Sequence, residues 1–220
     1  TGTGSSSPVT VSGLTAGTAY TFTVRGSNAT GSGEYSFASN SIIPTVNTAY
    51  DSIATFTATT NTTTVTFSSI PQTYKHLQLR IFARSNRAVT IEGDWLYFNN
   101  DTSNVAYPYH LLSGDGTTAG SGNQPTPNSA GALMSFVPGA SSTSSVFGGG
   151  VTDILDYTNT NKNKTVRTLG SVDYNVGGRV TLISSVWLST AAVTSIKIDT
   201  QGGGDFVQYS SFALYGIKGE

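Results

Sequence analysis

Cysteine is absent from the 220-residue chain, so disulfides and thiolate chemistry are excluded outright. That leaves the compartment open, because a protein assembled in a reducing cytoplasm and then released lacks disulfides as well. Charge is scarce. Lys and Arg total 11 against 12 Asp and Glu, a net of -1, and together they make up 10% of the chain, where about 25% is usual. Phosphate binding needs a basic stripe, so nucleic acid is not expected as a partner. The same balance argues against an anionic membrane surface. No apolar run approaches the about 20 residues of a helical span, so no membrane segment is expected.

What remains is Ser, Thr, Asn and Gly, which must carry the solubility. Alternation dominates and helical periodicity is nearly missing. Residues 9–12, 20–25 and 35–43 read as strands separated by Gly-rich turns, with "NATGSG" (28–33) as a hairpin loop and Pro44 as a stop. A second series follows, including 53–58, 63–68, 76–84, 94–99, 105–112, 132–137, 151–157, 164–170, 179–188, 193–199 and 206–217. Between them, 113–131 and 138–150 are too polar and Gly-rich to predict regular structure. About ten short strands in one block predict a two-sheet antiparallel sandwich or jelly roll. In the strand 76–84, Leu77, Leu79 and Ile81 point inward while His76, Gln78 and Arg80 face out. The closing strand is apolar on both faces, which predicts a central or subunit-contact position near 53–58.

The stretch L-T-A-G-T-A-Y (Leu14 to Tyr20) places a Leu before a Gly-containing turn and a Tyr at the start of a strand, and Phe22 and Val24 continue that strand's inward face. With "GSNATGSGEYSFASNSIIP" after it, this resembles strands E, F and G of a fibronectin type III module. The resemblance implies that Tyr20 forms a tyrosine corner, its hydroxyl folded back onto the preceding turn. Such a module needs about 100 residues and seven strands. Strands A to D are missing, so residues 1–45 are expected to be the C-terminal half of a module cut from a longer polypeptide.

Residues 46–220 carry "FSSIPQTYKHLQL", "DILDYTNTNKNKTVRTL" and "YSSFALYGIKG". These resemble a domain of bacteriophage virion structural proteins, found in tail fibres, other appendages and head decoration. The resemblance implies a jelly-roll-like sandwich on the surface of a virus particle. Its expected partners are other virion proteins of capsid or tail, further copies of itself in a homo-oligomer, and a host-surface glycan. A secreted bacterial carbohydrate-binding module, joined to an enzyme by fibronectin type III modules, is the alternative.

No chemistry stands at working spacing. His76 and His110 lie in no metal or protease motif, and no G-x-S-x-G elbow occurs. The acidic residues are scattered, so no carboxylate pair of the glycosidase kind can be placed. "NNDTSN" (99–104) and "SGDG" (113–116) match no defined calcium loop and read as turns. The expectation is a non-enzyme with no cofactor, metal or catalytic residue. Contact is expected instead at the long 113–131 loop, where Asn123 and Gln124 offer uncharged hydrogen bonds. Tyr107 and Tyr109, at its entrance, add stacking area. Trp187 is expected in the core.

Overall fold

The structure is a computed structural model and describes residues 1–45, 49–103, 106–124, 131–175 and 177–219. The chain divides into two compact units, Thr1–Thr48 and Ala49–Glu220. Among the described residues there is no helix.

In the first unit, β1 (Ser27–Asn28) and β2 (Gly31–Ser32) form a hairpin tip in which Asn28 Oδ1 accepts the Thr30 amide at 3.0 Å. Such a side chain mimics a backbone turn. Below the tip the two arms drift apart in register. Backbone bonds join Gly26 to Gly33, Val24 to Ser36, Phe22 to Ser39 and Tyr20 to Ile42, so every two residues on the first arm face three on the second. Serine fills the gaps: Ser36 and Ser39 Oγ accept the Val24 and Phe22 amides, each at 3.0 Å. Repeated bulges of this kind break a ladder. The strands expected over 20–25 and 35–43 are therefore reduced to a Tyr20–Ile42 bridge, the short tip strands lie between them, and none forms over 9–12. The Thr15 amide donates to the Tyr20 hydroxyl at 3.0 Å, closing the turn at Gly17. Phe37, fully exposed, and Val24 and Tyr35, largely so, show that this unit has no core of its own.

The second unit contains β3 (Tyr50–Thr57), β4 (Thr64–Phe67), β5 (His76–Ala83), β6 (Ile91–Phe98), β7 (Tyr109–Gly114), β8 (Ala119–Gln124), β9 (Ala132–Pro138), β10 (Gly148–Ile154), β11 (Lys164–Asp173), β12 (Gly178–Trp187), β13 (Ile196–Thr200) and β14 (Ser211–Ile217). They build an eight-stranded antiparallel sheet, β3-β14-β5-β10-β11-β12-β7-β8, and a four-stranded one, β4-β13-β6-β9. The arrangement is a β-sandwich. Its core gathers Leu77, Leu79, Phe98, Ile154, Phe206 and Phe212, with Trp187 among them. The closing strand β14 pairs with β3 on one side and β5 on the other, so it lies inside the sheet and beside the 53–58 strand, as expected.

Two stretches read as irregular are strands. The strand expected over 105–112 stands at 109–114, and with 119–124, inside the 113–131 stretch, it forms a hairpin, β7–β8, around a turn whose Asp115 Oδ1 accepts the Thr117 and Thr118 amides at 2.9 and 2.7 Å. Gly148–Gly150 opens β10. Glycine suits the close approach of the sheets there: a Cβ at Gly150 would lie 3.2 Å from Ser135 Cβ on β9, and one at Gly170 would meet the same atom at 3.2 Å. Glycine in a strand marks close backbone approach as well as turns.

Candidate interaction surface

The alternation of β10, β11, β12 and β7 sends every second side chain away from the four-stranded sheet. Cross-strand register then aligns those residues in rows. One row runs Val151, Leu169, Leu182, Leu112 across four adjacent strands and ends on Ser121 of β8. A polar row beside it runs Asp153, Arg167, Ser184, His110, Asn123. On the other side lie Gly149, Ser171, Val180 and Gly114.

Where the β12, β7 and β8 ends of these rows meet, the sheet is hollowed. A concavity of about 550 Å³ is lined by His110, Leu112, Ser121, Asn123, Leu182 and Ser184. At the β10–β11 end, Arg167 donates to Asp153 Oδ2 at 2.8 Å and Gln78 donates to its Oδ1 at 2.9 Å. Burial works to raise the Asp153 carboxyl, and these hydrogen bonds outweigh it, so it lies below the usual carboxylate range. The face thus presents aliphatic surface, hydroxyls, an amide, an imidazole and a neutralised ion pair. A second concavity, about 520 Å³, lies among the turns near Asp115, Asp173 and Arg179. Its carboxylates are occupied locally: amides of Thr118 and Thr117 hold Asp115 at about 2, and Asp173 accepts the Asn175 amide at 2.8 Å.

Asn123 stands on the open face, exposed, at the rim of the first concavity. Gln124, its neighbour in β8, points to the opposite side and pairs with Tyr109. The two tyrosines do not form a contact surface. Tyr107 is in the core, 2% exposed, and its hydroxyl accepts the Phe98 amide at 3.0 Å. Burial raises its phenol well above the ordinary value. Tyr109 is half-buried, its ring tilted against Trp95 at 6.3 Å. Both turn inward because β7 continues as a strand of the large sheet, so the segment before it is packed instead of leading into an open loop. Tyr20 lies in the other unit.

Sequence reasoning missed the aliphatic row. The signal was present in "RVTLISSVW", where Val180 and Leu182 alternate with Ile183 and Trp187, so both faces of the strand are apolar. Which face meets solvent is decided by β9, far away in sequence.

Two carboxylates approach each other within the sandwich, but neither faces solvent. Glu92 is salt-bridged to Arg87 at 3.1 Å and accepts the Gly202 amide at 2.6 Å. Asp94 accepts from Ser135 Oγ at 3.0 Å, and burial pushes its carboxyl well above the ordinary range. Among the described residues, no three His, Cys, Asp or Glu side chains gather at metal-binding spacing. Comparisons with protein-family models, with curated proteins and with solved structures found no match.

Proposed function

We propose that this chain is a non-enzymatic structural protein of a bacteriophage particle, of tail-fibre, appendage or head-decoration type. In this reading the first unit is the C-terminal half of a fibronectin type III-like module, with Tyr20 at its tyrosine corner. The second unit is a jelly-roll-like sandwich displayed at the particle surface for assembly with capsid or tail proteins and for host attachment. The observation that carries the proposal is the open face of the eight-stranded sheet, where four aliphatic side chains stand in file with no covering element among the described residues of the second unit. Large exposed apolar patches mark contact surfaces. Repetition of such a face on a particle raises effective concentration, so weak contacts suffice. The quoted sequence resemblance supports the particle, and the sparse charge suits uncharged contacts.

The alternative, a secreted bacterial carbohydrate-binding module, is favoured by one observation. The concavity sets Asn123, Ser121, Ser184 and His110 around Leu112 and Leu182, a mixture of hydrogen-bonding groups and apolar floor of the kind that small-ligand sites use. Incubating the chain with host cells and with their envelope polysaccharide, and measuring both retention and release of reducing sugar, tests the proposal. Retention without sugar release is expected. Sugar release would overturn the non-enzymatic assignment.

A further inference from the structure

The centre of the eight-stranded sheet is inverted in polarity. Its covered face carries Thr152, Thr168, Thr181 and Ser185, all buried, and the Thr152 and Thr168 hydroxyls bond to each other at 2.8 Å. Its open face carries Leu112, Leu169, Leu182 and Val180, exposed at 61%, 59%, 49% and 56%. An antiparallel sheet with one solvated face ordinarily alternates the other way. The inside has a local cause, since β9 lies so close over Gly150 and Gly170 that only small side chains fit. The outside has no such cause among the described residues of the second unit. Together with Val151, these side chains leave open a patch on the order of 400 Å², within the size range of functional patches on monomers.

We infer that this face is covered by the same face of a second copy of the chain, the two related by a two-fold axis along the aliphatic row. The inference names a partner for the surface on which the proposed function rests, and in that sense rests on that reading. Area favours it. Eight strands about 4.8 Å apart and three side-chain rows deep give roughly 700 Å² per copy, near the about 800 Å² that each partner of a stable complex buries. Shape favours it too. Rotation about the row keeps each strand opposite its own copy and lays the polar row against the small-residue row. Arg167 then meets Ser171 of the second copy and His110 meets its Gly114, large on small, as interdigitating sheets require. Charge opposes it at one position only: Arg167 and Asp153 are already paired at 2.8 Å, whereas Arg80 continues the aliphatic row beside Val151 on β5 and so faces its own counterpart in the second copy. Its guanidinium is held within its own copy, over the Tyr215 and Tyr50 rings at 4.7 and 5.5 Å from their centroids and donating to Gln78 Oε1 at 2.9 Å.

The absence of cysteine makes a clean test available in the full chain. In a two-fold contact a residue on the axis faces itself, and packed sheets are about 10 Å apart, within reach of a short bis-maleimide. Light scattering across the micromolar range is expected to give a dimer. Leu169→Glu, at an exposed position, is expected to give a monomer with an unchanged circular dichroism spectrum. Leu182→Cys is expected to cross-link into dimers, and Thr165→Cys, on the same face but off the axis, is not. A monomeric wild type, a dimer that survives Leu169→Glu, or equal cross-linking at both positions would overturn the inference. A monomer whose retention on host cells is lost in Leu169→Glu would overturn it while leaving the proposed function standing. A dimer that is found in no particle fraction would support it and remove the proposed function.

Discussion

Asp94 is enclosed between the two sheets with one hydrogen bond, from Ser135, and its Oδ1 has no partner among the described residues. Burial first, and then the nearby Glu92 charge, favour the protonated form, against the pull of the Ser135 bond. The sign of its effect on stability follows. A carboxyl whose folded value is raised above its unfolded value of about 3.9 holds its proton in the folded state while the unfolded state releases it. Stability therefore falls as pH rises from about 4 towards the raised value. Asp94→Asn keeps the shape and removes the titration. It is expected to melt higher than wild type at pH 8, by about 3 °C or more, with the gap closing at pH 4. Thermal melts at the two pH values check this, and a gap of equal size at both would contradict it.

Lys164 poses the opposite problem, a buried cation with every donor used. Its Nζ donates to the carbonyls of Asn159, Lys162 and Thr190 at 2.6, 2.7 and 3.0 Å. The ammonium thereby holds the loop after β10 against the segment after β12. Lys164→Met fills similar volume but leaves those carbonyls without a donor. The expected cost is about 1–3 kcal/mol, the penalty for unsatisfied buried groups, seen as a lower midpoint in chemical denaturation. An unchanged midpoint would show that water replaces the ammonium without loss.

At the scale of elements, the seam between β9 and β10–β11 is where packing is tightest. Ser135 Cβ is the atom that a new Cβ would meet at both Gly150 and Gly170, so the three positions share one space. Gly150→Val is expected to destabilise by about 1–3 kcal/mol through overpacking. Ser135→Gly in the same chain should recover part of that loss, because contacting residues couple. Additive losses in the double variant, measured by denaturation, would place the strain elsewhere.

The same seam explains what the sequence did and did not make legible. Strands with clear period-two patterning, such as 76–83 and 164–173, stand close to where their alternation places them, and β14 joins β3 as its apolar faces imply. Gly148–Gly150 and Ala119–Gln124 read as loops because glycine signals a turn locally. Its use here, to admit another backbone or to extend a hairpin, depends on partners distant in sequence. Tyr107 was misplaced for a related reason: its neighbours Phe98, Tyr97 and Trp187 come from other strands or sit near its ring only through them. Asn123 fell on the open face because it keeps the parity of a strand that the sequence did not reveal. The register slips of the first unit depend on Ser36 and Ser39 acting as backbone substitutes, which composition alone does not distinguish from ordinary polar strand residues.

For the whole molecule, a sandwich with an inverted sheet centre suits a role in contact. Few charges are available to be screened, so the association of copies and any retention on cells are expected to change little between low and high salt. A steep salt dependence in light scattering or retention would point to ion pairs that the open face does not display. The central claim, that the chain is a displayed component of a virus particle, is tested most directly by locating it. Virus particles purified from a culture that produces the chain, labelled with gold-conjugated antibody against residues 49–220, are expected to carry the label at a fixed position on head or tail, in repeated copies. Unlabelled particles, with the chain recovered as free secreted protein, would contradict the account.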